Sequence, residues 1–308
     1  SFLMKPLSSQ LNMKINDFYL PLLPVIGTGR LYITSEGHAC HAYFREVSGH
    51  GIRFTLTYSG YEGRFWISEE QFIQWCQELF PYSESRLIPE DMIKLMILWV
   101  MQTALPEGDV SVDDVQFTML NKDVYPVIEN NNGENRLNVI ILETTVQSLQ
   151  HLINDNWQFV PHSNALFFDG YIVPGWTDYP VTELRVGDSL RLYHVDDSQE
   201  RRCWIVINNP LATVKLSDNN LSVTDVLAAD PLCTISSETV MNRIYCVIGT
   251  VHIDIHMLRN VQKDDIIDST GYHLFGGCQL VRNNTTIAYG SIIKINEDFY
   301  FTISVVCD

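Results

Sequence analysis

A turn-like pattern that recurs once, 77 residues further along, constrains this chain more than any other feature. The first copy is Val181-Thr182-Glu183-Leu184-Arg185-Val186-Gly187-Asp188-Ser189-Leu190 and the second is Leu258-Arg259-Asn260-Val261-Gln262-Lys263-Asp264-Asp265-Ile266-Ile267. One register superposes Val181 on Leu258, Leu184 on Val261, Asp188 on Asp265 and Leu190 on Ile267. An Asp just ahead of a strand is a turn residue, because its carboxylate accepts from nearby backbone amides. Asp188 and Asp265 are read in that role rather than as an acid and a base. Gly187 fits the same turn, with Asp264 in its place in the second copy. A small β module used twice points to assembly before it points to catalysis.

The chain has 308 residues, 46% of them hydrophobic, enough for one large core or two to three ordinary domains. A formal net charge of -17 repels nucleic-acid phosphates and anionic membrane surfaces, so partners are expected to be proteins. Seven scattered cysteines without a Cys-x-x-Cys pair argue against a disulfide framework or zinc ribbon and for a reducing compartment. No apolar run approaches the roughly 18 residues of a membrane span, and no secretory signal is expected.

The first half mixes strands and helices. Phe54, Leu56 and Tyr58 alternate with Thr55 and Thr57, and Phe65-Trp66-Ile67 forms a second strand after Gly63. Ser68 to Gln71 has the form of a capping box, opening a helix that turns Phe72, Trp75, Cys76 and Leu79 inward and stops before Pro81. A second helix starts at Pro89 and continues towards Ala104 before Pro106; it is apolar on nearly every side and calls for enclosure. A buried strand over 137–142 and a helix over 145–154 follow, then a connection over 155–164. Beyond it the pattern is mainly β. Tyr245, Val247, Gly249, Val251, Ile253 and Ile255 share one strand face, Asn283-Asn284 makes a hairpin turn, and Phe299, Phe301, Ile303 and Val305 share a face of the last strand. The stretch 217–239 is polar and weakly patterned and is expected to be a linker.

Candidate chemistry is sparse. His38-Ala39-Cys40-His41 lacks a second cluster at zinc-like spacing, and His252, Asp254 and His256 need no ligand if they line an exposed strand face. Gly27-Thr28-Gly29-Arg30 completes neither a dinucleotide fingerprint nor a phosphate loop. No catalytic residue, cofactor or metal site is expected. The aliphatic run Ile292, Ile293 and Ile295 is different in kind. Consecutive apolar residues on an antiparallel strand fall on both faces, so Ile292 or Ile293 must find cover outside the module's own core. A sister module, a second copy or another protein would supply it.

Val247-Ile248-Gly249-Thr250-Val251-His252-Ile253, the second turn copy, and Arg282-Asn283-Asn284-Thr285-Thr286-Ile287-Ala288-Tyr289-Gly290-Ser291-Ile292-Ile293 together resemble the SpoA module of the flagellar switch proteins FliN and FliM. Its hallmarks are a strand, an aliphatic-x-x-Gly-Asp-x-aliphatic turn, and an Asn-Gly-x-x-Ile-Ala-x-Gly stretch feeding an aliphatic strand. Asp264 and Asn284 stand where glycines are usual. With a degenerate first copy and a mixed region ahead of it, the whole chain is similar to the SctQ family of type III secretion injectisomes, most of all to members from attaching-and-effacing enterobacteria. The resemblance implies an α+β fold: an N-terminal α/β domain (1–155), a first SpoA module (160–216), a linker (217–239) and a second SpoA module (240–308). The modules are expected to pair with each other or with another chain.

It further implies a non-enzymatic scaffold of the cytosolic sorting platform, held at the cytoplasmic face of the inner membrane through the injectisome. Implied partners are the stator protein SctL, through it the export ATPase SctN, the adaptor SctK, chaperone–substrate complexes, and a shorter SpoA-only product of the same gene. An apolar docking patch carries over to Ile293 and Ile295, next to Ile292 and with Lys294 between them. Gly187, Asp188, Asp265, Asn283, Asn284 and Gly290 carry over as structural turn positions. Two rivals remain. A flagellar switch subunit requires a response-regulator motif near the start, where residues 4–17 offer none. A CheC-type phosphatase requires a Glu with an Asn three residues on along a helix, absent from 68–80 and 143–154.

Overall fold

The computed structural model describes residues 15–77, 87–104, 109–162 and 166–308. Most of what is described is β-sheet, in two compact units, the first ending at Leu166 and the second spanning Phe167–Asp308. Leu79, Pro81 and Pro106, expected at helix ends, lie outside the described residues, as do 163–165 of the expected connection.

The first unit runs through a 3₁₀ turn (Asp17–Leu22), α1 (Leu23–Ile26), β1 (Arg30–Ile33), β2 (Ala39–Tyr58), β3 (Tyr61–Ser68), α2 (Glu69–Cys76), α3 (Glu90–Ala104), β4 (Val110–Asn131), β5 (Arg136–Glu143), α4 (Val146–Leu152) and β6 (Gln158–Phe159). The sheet order is β3-β5-β4-β2-β1-β6, and β3 also pairs with β2, so four strands close on themselves. The unusual length of β2 and β4 permits this. They pair along nearly their whole length, while the far half of β2 takes β3 and the far end of β4 takes β5 on their free edges. All these pairings are antiparallel, which corrects the expectation of an α/β domain: the helices cover the sheet instead of joining parallel strands.

Local signals hold well here. Ser68 caps α2 by accepting from the Gln71 N–H at 3.2 Å; the Gln71 side chain, however, accepts from the Asn138 N–H at 2.8 Å, so the capping box is one-sided. On α3, Ile93, Met96, Ile97, Val100 and Met101 form a buried stripe, whereas Leu95 and Trp99 remain exposed, so this helix is covered on one side and not all round. The segment expected as a connection is tied into this unit. The buried Arg30 guanidinium donates to the carbonyls of Val25, Asn154 and Trp157 at 3.1, 3.0 and 2.8 Å. The N–H groups of Val160 and His162 reach the Gly29 and Thr28 carbonyls at 3.1 and 2.9 Å.

The second unit contains β7 (Phe167–Val173), β8 (Gly175–Thr177), β9 (Ser189–Leu192), β10 (Arg202–Ile207), β11 (Asn209–Leu216), β12 (Asn220–Val226), α5 (Pro231–Ser236), β13 (Ile244–Asp254), α6 (Ile255–Arg259), β14 (Ile266–Asp268), β15 (Tyr272–Arg282), β16 (Thr285–Ile295) and β17 (Asp298–Val306). Its sheet order is β14-β12-β11-β10-β7-β13-β15-β16-β17-β9, with β8 added on β13. This order reads alike from either edge. At its centre Ile172 pairs with Gly249, two residues 77 apart, the same offset as the repeated turn. Outward from there β10 matches β15, β11 matches β16, β12 matches β17, and the outermost β14 and β9 are the strands that follow the two turn copies. Each half is therefore finished by a strand from the other: β9 pairs with β17, and β14 pairs with β12.

Three expectations are corrected here. Residues 217–239 contain β12 and α5, not an open linker: Leu221 and Val223 are buried between β11 and β14, and Asp230 caps α5 by accepting from Leu232 N–H at 3.1 Å. Ile255 and His256 leave strand geometry because Asp254 accepts from the His256 N–H at 2.7 Å and starts α6. Val305 turns outward because the register of β16 against β17 shifts between Tyr289 and Gly290.

The two turns have the same geometry. The Arg185 N–H donates to the Asp188 carboxylate at 3.0 Å and the Gln262 N–H to the Asp265 carboxylate at 2.8 Å. Gly187 and Asp264 both have positive φ, 90° and 72°. Asp188→Ala and Asp265→Ala should thus each cost about 1 kcal/mol in urea unfolding, the net worth of one such hydrogen bond. At Gly290 a Cβ would overlap the Thr302 carbonyl oxygen and the Phe301 ring. Gly290→Ala is expected to cost about 1–3 kcal/mol through this overpacking, seen as a lower urea midpoint at unchanged slope.

Candidate interaction surface

β16 and β17 form a hairpin whose turn is Asn296-Glu297, both at positive φ. The pair Ile292 and Phe301 corresponds to Leu216 and Leu221 of the β11–β12 hairpin, which turns immediately afterwards, with the Ser217 N–H donating to the Asn220 carbonyl at 3.0 Å. β16 and β17 instead continue through three more pairs: Ile293 with Tyr300, Lys294 with Phe299, and Ile295 with Asp298. This extension breaks the symmetry of the sheet. It carries two of the three aliphatic residues singled out above.

Strand alternation separates those three residues. Ile292 faces inward, packed against the cluster built on Leu192, Ile244, Cys246, Leu280, Ala288, Phe301 and Ile303, and does not contribute to the surface. Ile293 and Ile295 face outward with 37% and 49% of their surface accessible, in line with Tyr289 and next to the half-buried Tyr300. Lys294 points to the other side of the strand, where its ammonium lies 5.4 Å from the Phe299 ring centroid and 2.7 Å from Asp197. It therefore does not interrupt the outward apolar row. The row is bordered by Arg191, which donates to Asp298 at 3.0 Å and lies 4.9 Å from the Tyr193 ring centroid. Ion pairs at this edge satisfy charges locally and leave the aliphatic side chains as the unpartnered chemistry of the hairpin. Tyr300, Tyr289 and Arg191 were not singled out in the sequence; the period-2 pattern of β16 and β17 reaches the two tyrosines, but Arg191 arrives only through the strand exchange.

Of the carried-over turn positions, Gly290 is not in a turn: it lies inside β16, paired with Cys278 and Ile303, and is required there by close packing. Asn283 and Asn284, at φ 51° and 60°, make the two-residue turn between β15 and β16. The Gly187 N–H donates to the Ile303 carbonyl at 2.8 Å and the Ile303 N–H to the Asp188 carbonyl at 2.9 Å; Asp264, Val223 and Asp265 repeat the same exchange at 2.8 Å each.

Two histidines of these clusters, His41 and His252, have structural partners. His252 contacts Asp169 at 2.6 Å and stacks on Phe167, and His41 lies 3.0 Å from the Val160 carbonyl. Among the described residues no group of three or more His, Cys, Asp or Glu side chains is arranged to hold a metal ion. No helix of the described residues is long and apolar enough to cross a membrane.

Comparison with known families gives two consecutive matches. The model of the SepQ protein N-terminal domain matches residues 12–152, and that of the SepQ protein C-terminal domain matches residues 162–307. No curated protein matches the chain. The paired matches run in the order of one protein, cover nearly the whole sequence and agree with the division after Leu166. The chain belongs to the SepQ family, a family of type III secretion sorting-platform components.

Proposed function

We propose that this chain is a non-enzymatic scaffold of the injectisome sorting platform and that its second unit is a pair of intertwined SpoA modules. The observation that carries the reading is the outward apolar row Ile293, Ile295 and Tyr300 on a hairpin extension present in one half of an otherwise repeating sheet. The sister half has no equivalent residues to cover, so the extension is free to serve a different partner. The stator protein SctL, which connects to the export ATPase SctN, is that partner in this reading. The adaptor SctK and chaperone–substrate complexes engage other surfaces, and the assembly holds the chain at the cytoplasmic face of the inner membrane.

The mechanism is multivalent docking. Several modest contacts on one scaffold raise the effective concentration of each further component, so the platform gathers without any single tight interface and its subunits can exchange. The strand exchange also gives a physical basis for a shorter SpoA-only product. A second copy of residues 240–308 could contribute the outer strand that the first half contributes in the full chain.

The test is co-purification of the full chain with SctL, using the Ile293→Asp and Ile295→Asp double variant. Both side chains face solvent, so the variant should keep its circular dichroism spectrum and melt close to the parent. Placing carboxylates in an apolar contact is expected to weaken binding at least roughly tenfold. A folded variant that retains SctL with undiminished affinity refutes the docking assignment.

A further inference from the structure

Cys246 and Cys278 occupy a place in the sheet that none of the other five cysteines shares. Cys246 lies on β13, fully buried, and Cys278 lies on β15, half-buried, in the same apolar cluster. Their thiols are in hydrogen-bond contact. The strands are irregular at this point: β13 pairs Val247 with Gln279 and then Gly249 with Leu274, so residues 275–278 bulge opposite Ile248 alone. The bulge includes Gly276 and Gly277; no atom lies within 4 Å of where a Cβ on Gly276 would be, and at Gly277 the nearest is the Gly290 carbonyl oxygen at 4.0 Å. A depression of about 460 Å³ opens on this bulge, lined by Phe275, Gly276, Gly277, Cys278 and Tyr289. Cys278 thus has access from solvent, a second thiol at its back, and an open glycine position two residues before it, while its own backbone pairs with Gly290 of β16.

The charge state of the pair adds to this geometry. The side-chain interaction with Cys246 first, and a backbone hydrogen bond from Ile292, outweigh burial and hold the Cys278 thiol below its ordinary range. Cys246 is pushed well up, first by that same side-chain interaction and then by burial. The remaining buried thiols go the other way: burial pushes Cys40 up to about 11 and Cys76 and Cys203 up to about 12. Cys233 is exposed, but partial burial and its hydrogen bond to Asp230 also raise it.

We propose that Cys278 is a peroxide-oxidisable site with Cys246 as its resolving thiol. The Cys278 thiolate attacks one oxygen of a hydroperoxide; the O–O bond breaks, an S–O bond forms, and the other oxygen leaves as alkoxide or hydroxide. Sulfur is oxidised to sulfenic acid and the peroxide is reduced. The Cys246 sulfur then attacks the Cys278 sulfur, the S–O bond breaks, and the hydroxyl leaves as water with the Cys246 proton. Closing from contact to bonding distance, the sulfurs join β13 to β15 beside the strand that carries Ile293 and Ile295.

The experiment uses the full chain, reduced, freed of reductant, exposed to hydrogen peroxide at neutral pH and digested without reduction. Peptide mass spectrometry should find Cys246 linked to Cys278. Before oxidation, iodoacetamide should label Cys278 roughly tenfold faster than Cys233, although accessibility alone favours Cys233. In Cys246→Ser the linkage disappears and dimedone traps a sulfenic acid on Cys278; in Cys278→Ser, Cys246 stays unmodified. Preferential oxidation of Cys233, or peroxide treatment of the parent chain that leaves Cys246 and Cys278 unlinked, overturns the proposal. Both results come from the unsubstituted protein, so they stand even if a serine variant folds poorly.

Discussion

The β7–β13 ladder joins the halves of the second unit into one sheet, and two reciprocal hydrogen-bond pairs close it at the outer hairpins: Gly187 and Asp188 with Ile303, and Asp264 and Asp265 with Val223. Each pair hands the strand after a turn to the far hairpin, so β9 completes the half that contains β17 and β14 completes the half that contains β12. Neither half can satisfy its own outer hairpin alone. The consequence is cooperative, slow assembly, because the closing contacts join residues more than a hundred positions apart in one case and must wait for the rest of the sheet. The exchange also leaves only short strands at both edges, which limits the unpaired backbone offered to other sheets.

Symmetry makes its exceptions informative. A repeat that matched throughout would present the same outer face twice, and nothing would distinguish one side as a contact. The two hairpins agree, pair by pair, as far as Leu216 with Leu221 and Ile292 with Phe301, and then one turns while the other continues. The residues beyond that point are under no constraint from the repeat. They alternate Ile293 and Ile295 outward with Lys294 inward, which is the pattern of a strand designed to show an apolar face on the side away from the core.

What the sequence made legible follows from how far each signal reaches. The turns were legible because Asp188, Asp265, Asn283 and Asn284 act within three residues of themselves, as was α4, capped by Thr145 accepting from the Ser148 N–H. The closed sheet of the first unit was not, since β2 takes three partner strands and β4 two, and periodicity names none of them. Leu221 and Val223 alternating with Ser222 and Thr224, and Asp230 ahead of Pro231, were readable signs of β12 and α5. They were masked by the polar residues around them. At Ile292, Ile293 and Ile295 the sequence required one of the first two to leave the core, and strand register decides which: Ile292 packs inside and Ile293 does not.

The charges around the exposed row do not account for it through stability. Arg191 with Asp298 and Lys294 with Asp197 are each about half exposed, and solvent screening leaves pairs of that kind little weight in stability. Their effect is on shape and selectivity. By holding Arg191 against Asp298 the ion pair keeps that arginine from folding over Ile293 and Ile295, as long charged chains do on bare apolar surface. A chain with a net charge of -17 also repels copies of itself at a distance, so an apolar row can stay exposed without driving indiscriminate association. A partner must then combine an apolar anchor with a surface that tolerates the acidic surroundings, and that double requirement, not the strength of any one contact, is what makes such a row selective.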